Sequence, residues 1–327
     1  MGGHAAMNNV KKPEQMARHA IWRKIDFRMI FPALGLIIVV IAFQVLSGGR
    51  VLTPINLRAV LNDVFPVMIG ATGYAFLLSQ GNLDFSIGAN MAVSAALAAL
   101  AAAVSPILAL PVGILAGASI GALNGFTHAV LKVNSFIATL AMQFVLSGVV
   151  LLVLRGGLLS VPLFMLAWNT LHLRLAVLFS VLIVGFIVFQ FTAYGKYCRA
   201  LGSCIEAARQ SGVNILLIKI IPFVIMGALV GLLSFFSLIR TATASSHTGG
   251  DLLMSVLNAI LLGGIPITGG ATSRFRAVVI GSLTITFLNN GMILMGFAPN
   301  IRQLFQGLIF LAAISITFDR KNTKVIQ

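Results

Sequence analysis

At 327 residues the chain is 59% hydrophobic and 9% charged, with 22 Lys and Arg against 7 Asp and Glu and a net charge of +15. Soluble domains carry roughly 45–50% apolar and about 25% charged residues, so an ordinary soluble domain is excluded. The apolar runs also follow one another too closely to leave room for a separate folded unit. The expectation is an all-α integral membrane protein, a single polytopic helical bundle.

A membrane-crossing helix needs about 20 mostly apolar residues, and that measure predicts ten spans. Residues 1–29 form a basic tail without a small-residue cleavage site after a short apolar core, so the first span, 30–46, reads as an uncleaved anchor. The second, 60–78, leads into Gly81-Asn82-Leu83-Asp84-Phe85-Ser86-Ile87-Gly88. Two readings of this stretch are open. It is either a buried helix break lining a transport path, with its polar groups paired internally, or a solvated turn. The sidedness of the neighbouring charges leans slightly to the turn.

Spans 86–104 and 107–130 follow. In the latter, Gly113, Gly117, Gly121 and Gly125 recur every four residues, a stripe that lets two membrane helices approach closely. Gly117-Ala118-Ser119-Ile120-Gly121 also matches G-x-S-x-G, the nucleophile motif of a serine hydrolase, for which His128 is the nearest base. Ser119 lies off the stripe, which favours packing over catalysis. Spans 135–154 and 175–193 come next, the first carrying Thr139 and Gln143.

Residues 195–214, GKYCRALGSCIEAARQSGVN, are the longest polar interruption of the chain. Helical spacing runs from Ser203 onward, with Gly202 or Ser203 as N-cap, Glu206 in the first turn, Arg209 three residues later and Gly212 as the stop. Ala207 and Ala208 leave a face small enough to enter a partner's groove, with Glu206, Arg209 and Gln210 at its rim and Lys196 and Arg199 upstream. The alternative is a solvated amphipathic loop. Cys198 and Cys204 have no metal-binding spacing and are expected as free thiols.

The seventh span is 218–239. The eighth, 251–263, is short and runs into Gly263, Gly264, Pro266, Gly269 and Gly270, so a broken or re-entrant segment is expected there. Spans 277–296 and 301–318 complete the transmembrane domain, 30–318, and residues 319–327 form a second tail.

Lys and Arg concentrate on the cytoplasmic side of membrane proteins. With the N-terminus inside and ten spans, only Arg50, Arg58, Arg155, Arg174, Arg240 and Arg302 fall outside. Both termini and the 195–214 stretch are therefore expected in the cytoplasm, with the two cysteines on the reducing side of a bacterial-type inner membrane. The positive charge reads as topology plus attraction to anionic lipid, not as nucleic-acid binding. G-x-x-x-x-G-K-[ST] is absent, so no nucleotide cofactor is expected in this chain and any ATP-driven step belongs to another subunit. Polar candidates for a substrate path are Asn82, Asp84, Ser86, Asn124, Thr139, Gln143, Asn258, Asn289 and Asn290. Each has the alternative role of an interhelical hydrogen bond. Their poverty in acids suits a neutral solute better than a proton relay.

Glu206-Ala207-Ala208-x-x-x-Gly212, followed by Pro222, resembles the cytoplasmic coupling loop of ATP-binding-cassette importer permeases. Over nearly its whole length the chain is similar to the ribose, xylose, arabinose and galactose branch of that family. Four further segments in order carry the likeness: Gly81 to Gly88, Gly121-Ala122-Leu123-Asn124-Gly125, Ser135-Phe136-Ile137-Ala138-Thr139-Leu140, and the double glycines Gly263-Gly264 and Gly269-Gly270. The resemblance implies a non-catalytic permease subunit, paired with an identical or homologous permease. Two cytoplasmic ATP-binding subunits would drive it and an extracytoplasmic binding protein would deliver a monosaccharide or small polyol. It departs at Gly249-Gly250-Asp251-Leu252, where that branch carries Gly-Tyr-Glu-Leu, and at Ser203-Cys204-Ile205. Without the resemblance, a secondary transporter working without ATP is the other transport reading.

Overall fold

A computed structural model describes residues 27–210 and 212–317. Of the tails expected at 1–29 and 319–327, residues 1–26 and 319–327 lie outside that description, and 27–29 belong to the first helix. Helix α1 spans Phe27–Leu46, α2 Pro54–Ser79, α3 Ile87–Val104, α4 Ala109–Ala129, α5 Ser135–Leu154 and α6 Leu171–Phe191. Two short helices follow, α7 Ala193–Ser203 and α8 Ile205–Gln210, then α9 Ile215–Thr241, α10 Leu252–Leu262, α11 Arg276–Leu294 and α12 Pro299–Thr317. Every predicted span falls on a helix. Among the described residues seven helices are long and apolar enough to cross a membrane: α2, α3, α4 with its Pro106–Leu108 lead-in, α5, α6, α9 and α11. The molecule is a multi-pass helical membrane protein.

Local chemistry sets the boundaries. Helix α2 begins at Pro54, six residues before the predicted span, because proline at the first helical position loses no hydrogen bond and Thr53 is extended ahead of it. Asn134, Thr170 and Asn214 cap α5, α6 and α9 by accepting from the backbone N–H of Phe136 (2.9 Å), Leu173 (3.3 Å) and Leu217 (3.3 Å). The predicted eighth span is a half-helix. Helix α10 has 11 residues, a rise of about 16 Å against a hydrocarbon core of about 30 Å. It ends in a turn where Gly264, Gly269 and Gly270 take positive φ.

The tightest seam joins α4 to α9. A Cβ on Gly117 would overlap the Gly227 carbonyl oxygen, and one on Gly227 would overlap the Gly117 carbonyl. The glycine stripe is thus a packing face, matched by Gly227 and Gly231 on a helix far away in sequence. Ser119 sits on the exposed side of α4, and its hydroxyl donates to the Leu115 carbonyl of its own helix at 2.7 Å. His128 lies nine residues further along that helix, about 13 Å of rise away. The geometry excludes a Ser–His catalytic pair. Helix α9 packs on α2, α3 and α4, α10 pairs with α11, and α1 packs on α11. Helices α5 and α6 turn Phe144, Leu152, Phe179 and Ile183 outward, as lipid-facing surfaces do. A two-residue antiparallel ladder pairs Leu159 with Ala244 and Ser160 with Thr243, tying the α5–α6 connection to the far end of α9.

Candidate functional site

Three groups of polar residues stand out. The first is the Gly81–Ser86 break between α2 and α3. Asp84 is 1% exposed, so the solvated-turn reading fails: this is a buried break. One carboxylate oxygen of Asp84 accepts from the Ser86 backbone N–H (2.9 Å) and hydroxyl (2.7 Å). The Asn124 amide on α4 donates to the Ser86 hydroxyl at 2.8 Å. From α2, the Tyr74 hydroxyl accepts from the Asp84 N–H at 3.0 Å. From α5, Ser135 and Thr139 accept from the backbone N–H groups of Leu83 (3.3 Å) and Phe85 (3.1 Å). Unwound backbone inside a membrane protein must find partners within the protein, and here three neighbouring helices supply them. Of the nine predicted path residues, the fold gathers Asp84, Ser86, Asn124 and Thr139 here, and Asn82 joins through Gln80 (3.3 Å).

The remaining path candidates lie elsewhere. Asn290 exchanges two amide hydrogen bonds with buried Asn56 (2.8 and 2.9 Å), fastening α11 to α2. Asn258 on α10 donates to the Gln306 carbonyl at 3.1 Å, and Asn289 accepts from the Gln306 amide at 3.0 Å. Gln143 gives only a backbone carbonyl, to Ser147 at 2.8 Å, and joins no group among the described residues.

The second group is the 195–214 stretch. Two helices form where one was expected. Thr192 caps α7 by accepting from the Gly195 N–H at 3.4 Å, and extended Cys204 separates α7 from α8, so neither Gly202 nor Ser203 is the cap. Glu206 does lie in the first turn of α8 and Gly212 does take a positive φ of 72° beyond its end. Helix α7 buries Gly195, Cys198 and Leu201 at three-residue spacing and exposes Lys196, Tyr197 and Ala200. Lys196, Glu206, Arg209 and Gly212 are exposed as expected. Arg199, Gly202 and Ala208 turn inward instead. The Arg199 guanidinium donates to the Phe189 carbonyl at 2.5 Å and lies 4.9 Å above the Phe189 ring. Gly202 packs where any side chain would overlap the Ser79 carbonyl, and Ala208 is buried. The predicted partner contact of Ala207 concerns a side chain outside the described set.

Sequence reasoning missed the residue that links these two groups. Gln80, at the end of α2, donates to the Ile218 carbonyl of α9 (2.8 Å) and to the Cys198 sulfur of α7 (3.3 Å), while accepting from Asn82. The Ser203 hydroxyl accepts from the Ala271 N–H at 2.9 Å, and the Gly270 N–H donates to the Ser79 carbonyl at 2.8 Å. The double-glycine loop, the surface helices and the buried break therefore meet at one junction. Both cysteines are free; burial pushes the Cys198 thiol up, so it serves there as a neutral hydrogen-bond partner.

The third group lines a cavity of about 520 Å³ at the opposite end of α9. Asp63 and Phe65 of α2, Arg174 of α6, Phe236 and Arg240 of α9, Thr286 and Asn289 of α11 and Arg302 of α12 face it, with Asp251 at its edge. Asn289 is the one predicted path residue among them. Asp63 is not among the predicted path residues, although it lies within α2. A basic groove lies beside α8, lined by His128, Lys132, Arg209 and Lys219.

Residues 56–314 match the family model described as branched-chain amino acid transport system / permease component, and the chain belongs to that family. It is 29% identical over 316 residues to the L-arabinose ABC transporter permease protein AraH of Azospirillum brasilense, covering 94% of this chain and 92% of the relative. Identity to the ribose import permease protein RbsC of Escherichia coli (strain K12) is 28% over 292 residues, 86% and 91% of the two chains. The galactofuranose transporter permease protein YtfT of the same strain is 32% identical over 292 residues, covering 84% and 83%. No solved structure matches.

Proposed function

We propose that this chain is the membrane-crossing subunit of an ATP-binding-cassette importer in the cell inner membrane, moving a monosaccharide or related small polyol. Ten membrane-embedded helices, the half-helix α10 included, put both termini and the α7–α8 segment in the cytoplasm. The charge bias supports this orientation, because of the 22 Lys and Arg only Arg50, Arg58, Arg155, Arg174, Arg240 and Arg302 fall outside under it. ATP and Mg²⁺ belong to two cytoplasmic ATPase subunits. A second permease, identical or homologous, completes the membrane part, and an extracytoplasmic binding protein delivers the sugar.

The observation that carries this reading is the junction beneath α7. A helix pair exposing Lys196, Glu206 and Arg209 is tied on its inner side, through Gln80, Cys198 and Ser203, to the ends of α2 and α9 and to the buried break. An ATPase pressing on that surface would move the break directly. The basic groove beside α8 offers an acidic ATPase surface a complementary rim. The test is uptake of ribose or L-arabinose into proteoliposomes, with and without the ATPase and the binding protein. Accumulation that requires both, and ATP, is expected. Accumulation by this chain alone under a proton gradient overturns the reading in favour of a secondary transporter.

A further inference from the structure

The polar groups of the break largely bond one another, with the Asn124 Oδ1 left over, whereas several buried atoms lining the cavity have no partner. Thr286 is 2% exposed, yet its hydroxyl has no hydrogen-bond partner, and the same holds for the Nε atoms of Arg174 and Arg302. A buried polar atom without a partner costs on the order of 1–3 kcal/mol, so several lining one cavity leave bonding capacity that water or an entering ligand would complete. Arg240 and Arg302 lie near enough to Asp63 to act on it electrostatically. The cavity therefore sets guanidinium donors beside a carboxylate acceptor. Phe65 and Phe236, packed edge to face with ring centroids 4.7 Å apart, form an apolar wall.

That set of groups selects its ligand. A lone anion would satisfy the arginines but meet Asp63, and an apolar molecule would leave every donor unpaired. A neutral polyhydroxylated molecule does both jobs, since vicinal hydroxyls accept from a planar guanidinium and donate to a carboxylate while a face of C–H groups lies on an aromatic ring. A volume of about 520 Å³ lies within the range of small-ligand pockets, roughly 300–1,000 Å³.

We infer that this cavity is where the sugar rests on its way through the permease, held by Asp63, Arg302 and Thr286, and that the Asp84–Asn124–Thr139 group is a structural pivot, not a substrate site. The inference rests on the sugar-import reading above. It places substrate recognition some 30 Å along α9 from the α7–α8 junction, by the helical rise between Ile218 and Arg240. Transmission between the two ends then runs through α2 and α9, which touch both.

Two measurements test this. In a Cys204→Ser background, a Ser237→Cys substitution places a thiol in the cavity, while native Cys198 stays buried. Labelling by a water-soluble maleimide is followed in detergent without partners. At 100-fold molar excess over reagent, ribose or L-arabinose should slow labelling by at least threefold, and glycerol should not; equal rates with and without both sugars overturn the inference. In the reconstituted importer, Asp63→Asn and Arg302→Gln should each lower maximal uptake about tenfold, the scale expected for losing a hydrogen bond to a charged group, with unchanged thermal unfolding. Thr286→Ser should retain more uptake than Thr286→Val. Wild-type uptake in both charge variants overturns the inference as well. The sugar-import reading fails separately, by the wild-type complex accumulating neither sugar with ATP present.

Discussion

The break at Asp84 and the cavity at Asp63 are both polar regions inside an apolar bundle, and they are built on opposite rules. Around Asp84, groups of the break bond to side chains of α2, α4 and α5, with the Asn124 Oδ1 left over, and Asp84 is 1% exposed. Around Asp63, the acid is solvent-accessible, the arginines keep free donors, and Thr286 keeps an unpaired hydroxyl. A closed network holds a non-helical segment in place where no water can. An open one leaves its bonding capacity for a visitor. Polarity within a span is therefore not by itself the mark of a substrate path; several unspent hydrogen bonds converging on one cavity are the better guide.

The strongest way to break this contrast is at Asp84. Replacing it by Leu strips acceptors from the Ser86 N–H and hydroxyl in a dry site, and should destabilise the protein by roughly 3–5 kcal/mol. Thermal unfolding in detergent reads this as a large fall in Tm with little folded protein recovered; an unchanged Tm would show the break to be wet. Next in size is Gln80→Ala, which removes the amide bridging α2, α7 and α9. A cost of about 1–2 kcal/mol in stability is expected, but the telling measurement is sugar moved per ATP hydrolysed in the reconstituted complex. That ratio should drop severalfold while ATPase activity persists, and an unaltered ratio would remove Gln80 from the linkage.

A smaller effect of opposite sign sharpens the comparison. Thr286→Val deletes a buried hydroxyl that bonds nothing in the protein, so stability should hold or rise by up to about 1 kcal/mol. A marked loss would mean that the hydroxyl already has a partner and the cavity is as closed as the break. Smallest of all, Ser119→Ala removes a hydroxyl that serves only its own helix. Uptake and Tm should both match wild type, within about 0.5 kcal/mol for stability; abolished function would reopen the hydrolase reading.

The candidate site was only partly legible in the sequence. The stretch Gly81 to Gly88 announced itself through glycine, acid and serine between two apolar runs, yet whether it was wet could not be read from it. Its partners Tyr74, Asn124, Ser135 and Thr139 stand on other segments. Around α7, the polar composition marks a surface element, but the inward turn of Arg199 and Ala208 is not legible in it, because a short helix has too few turns for its phase to be fixed without its neighbour. Gln80 carried no signal at all: one amide after an apolar helix looks like any helix end. The cavity was missed for the same reason. Its charges come one apiece from α2, α6, α9 and α12, and no local pattern joins them.

By itself the sequence determined that this chain lives in a membrane, where its helices run, that α4 packs through glycines, and that a polar segment interrupts the bundle between α6 and α9. Those properties follow from transfer free energies and side-chain size, which act residue by residue or at helical spacing. Tertiary structure alone decided that Asp84 is buried and bonded, and that Arg174, Arg240 and Arg302 share one cavity with Asp63. Hydrogen bonds and charges act over a few ångströms of space, and the residues that make them here lie dozens to hundreds of positions apart along the chain.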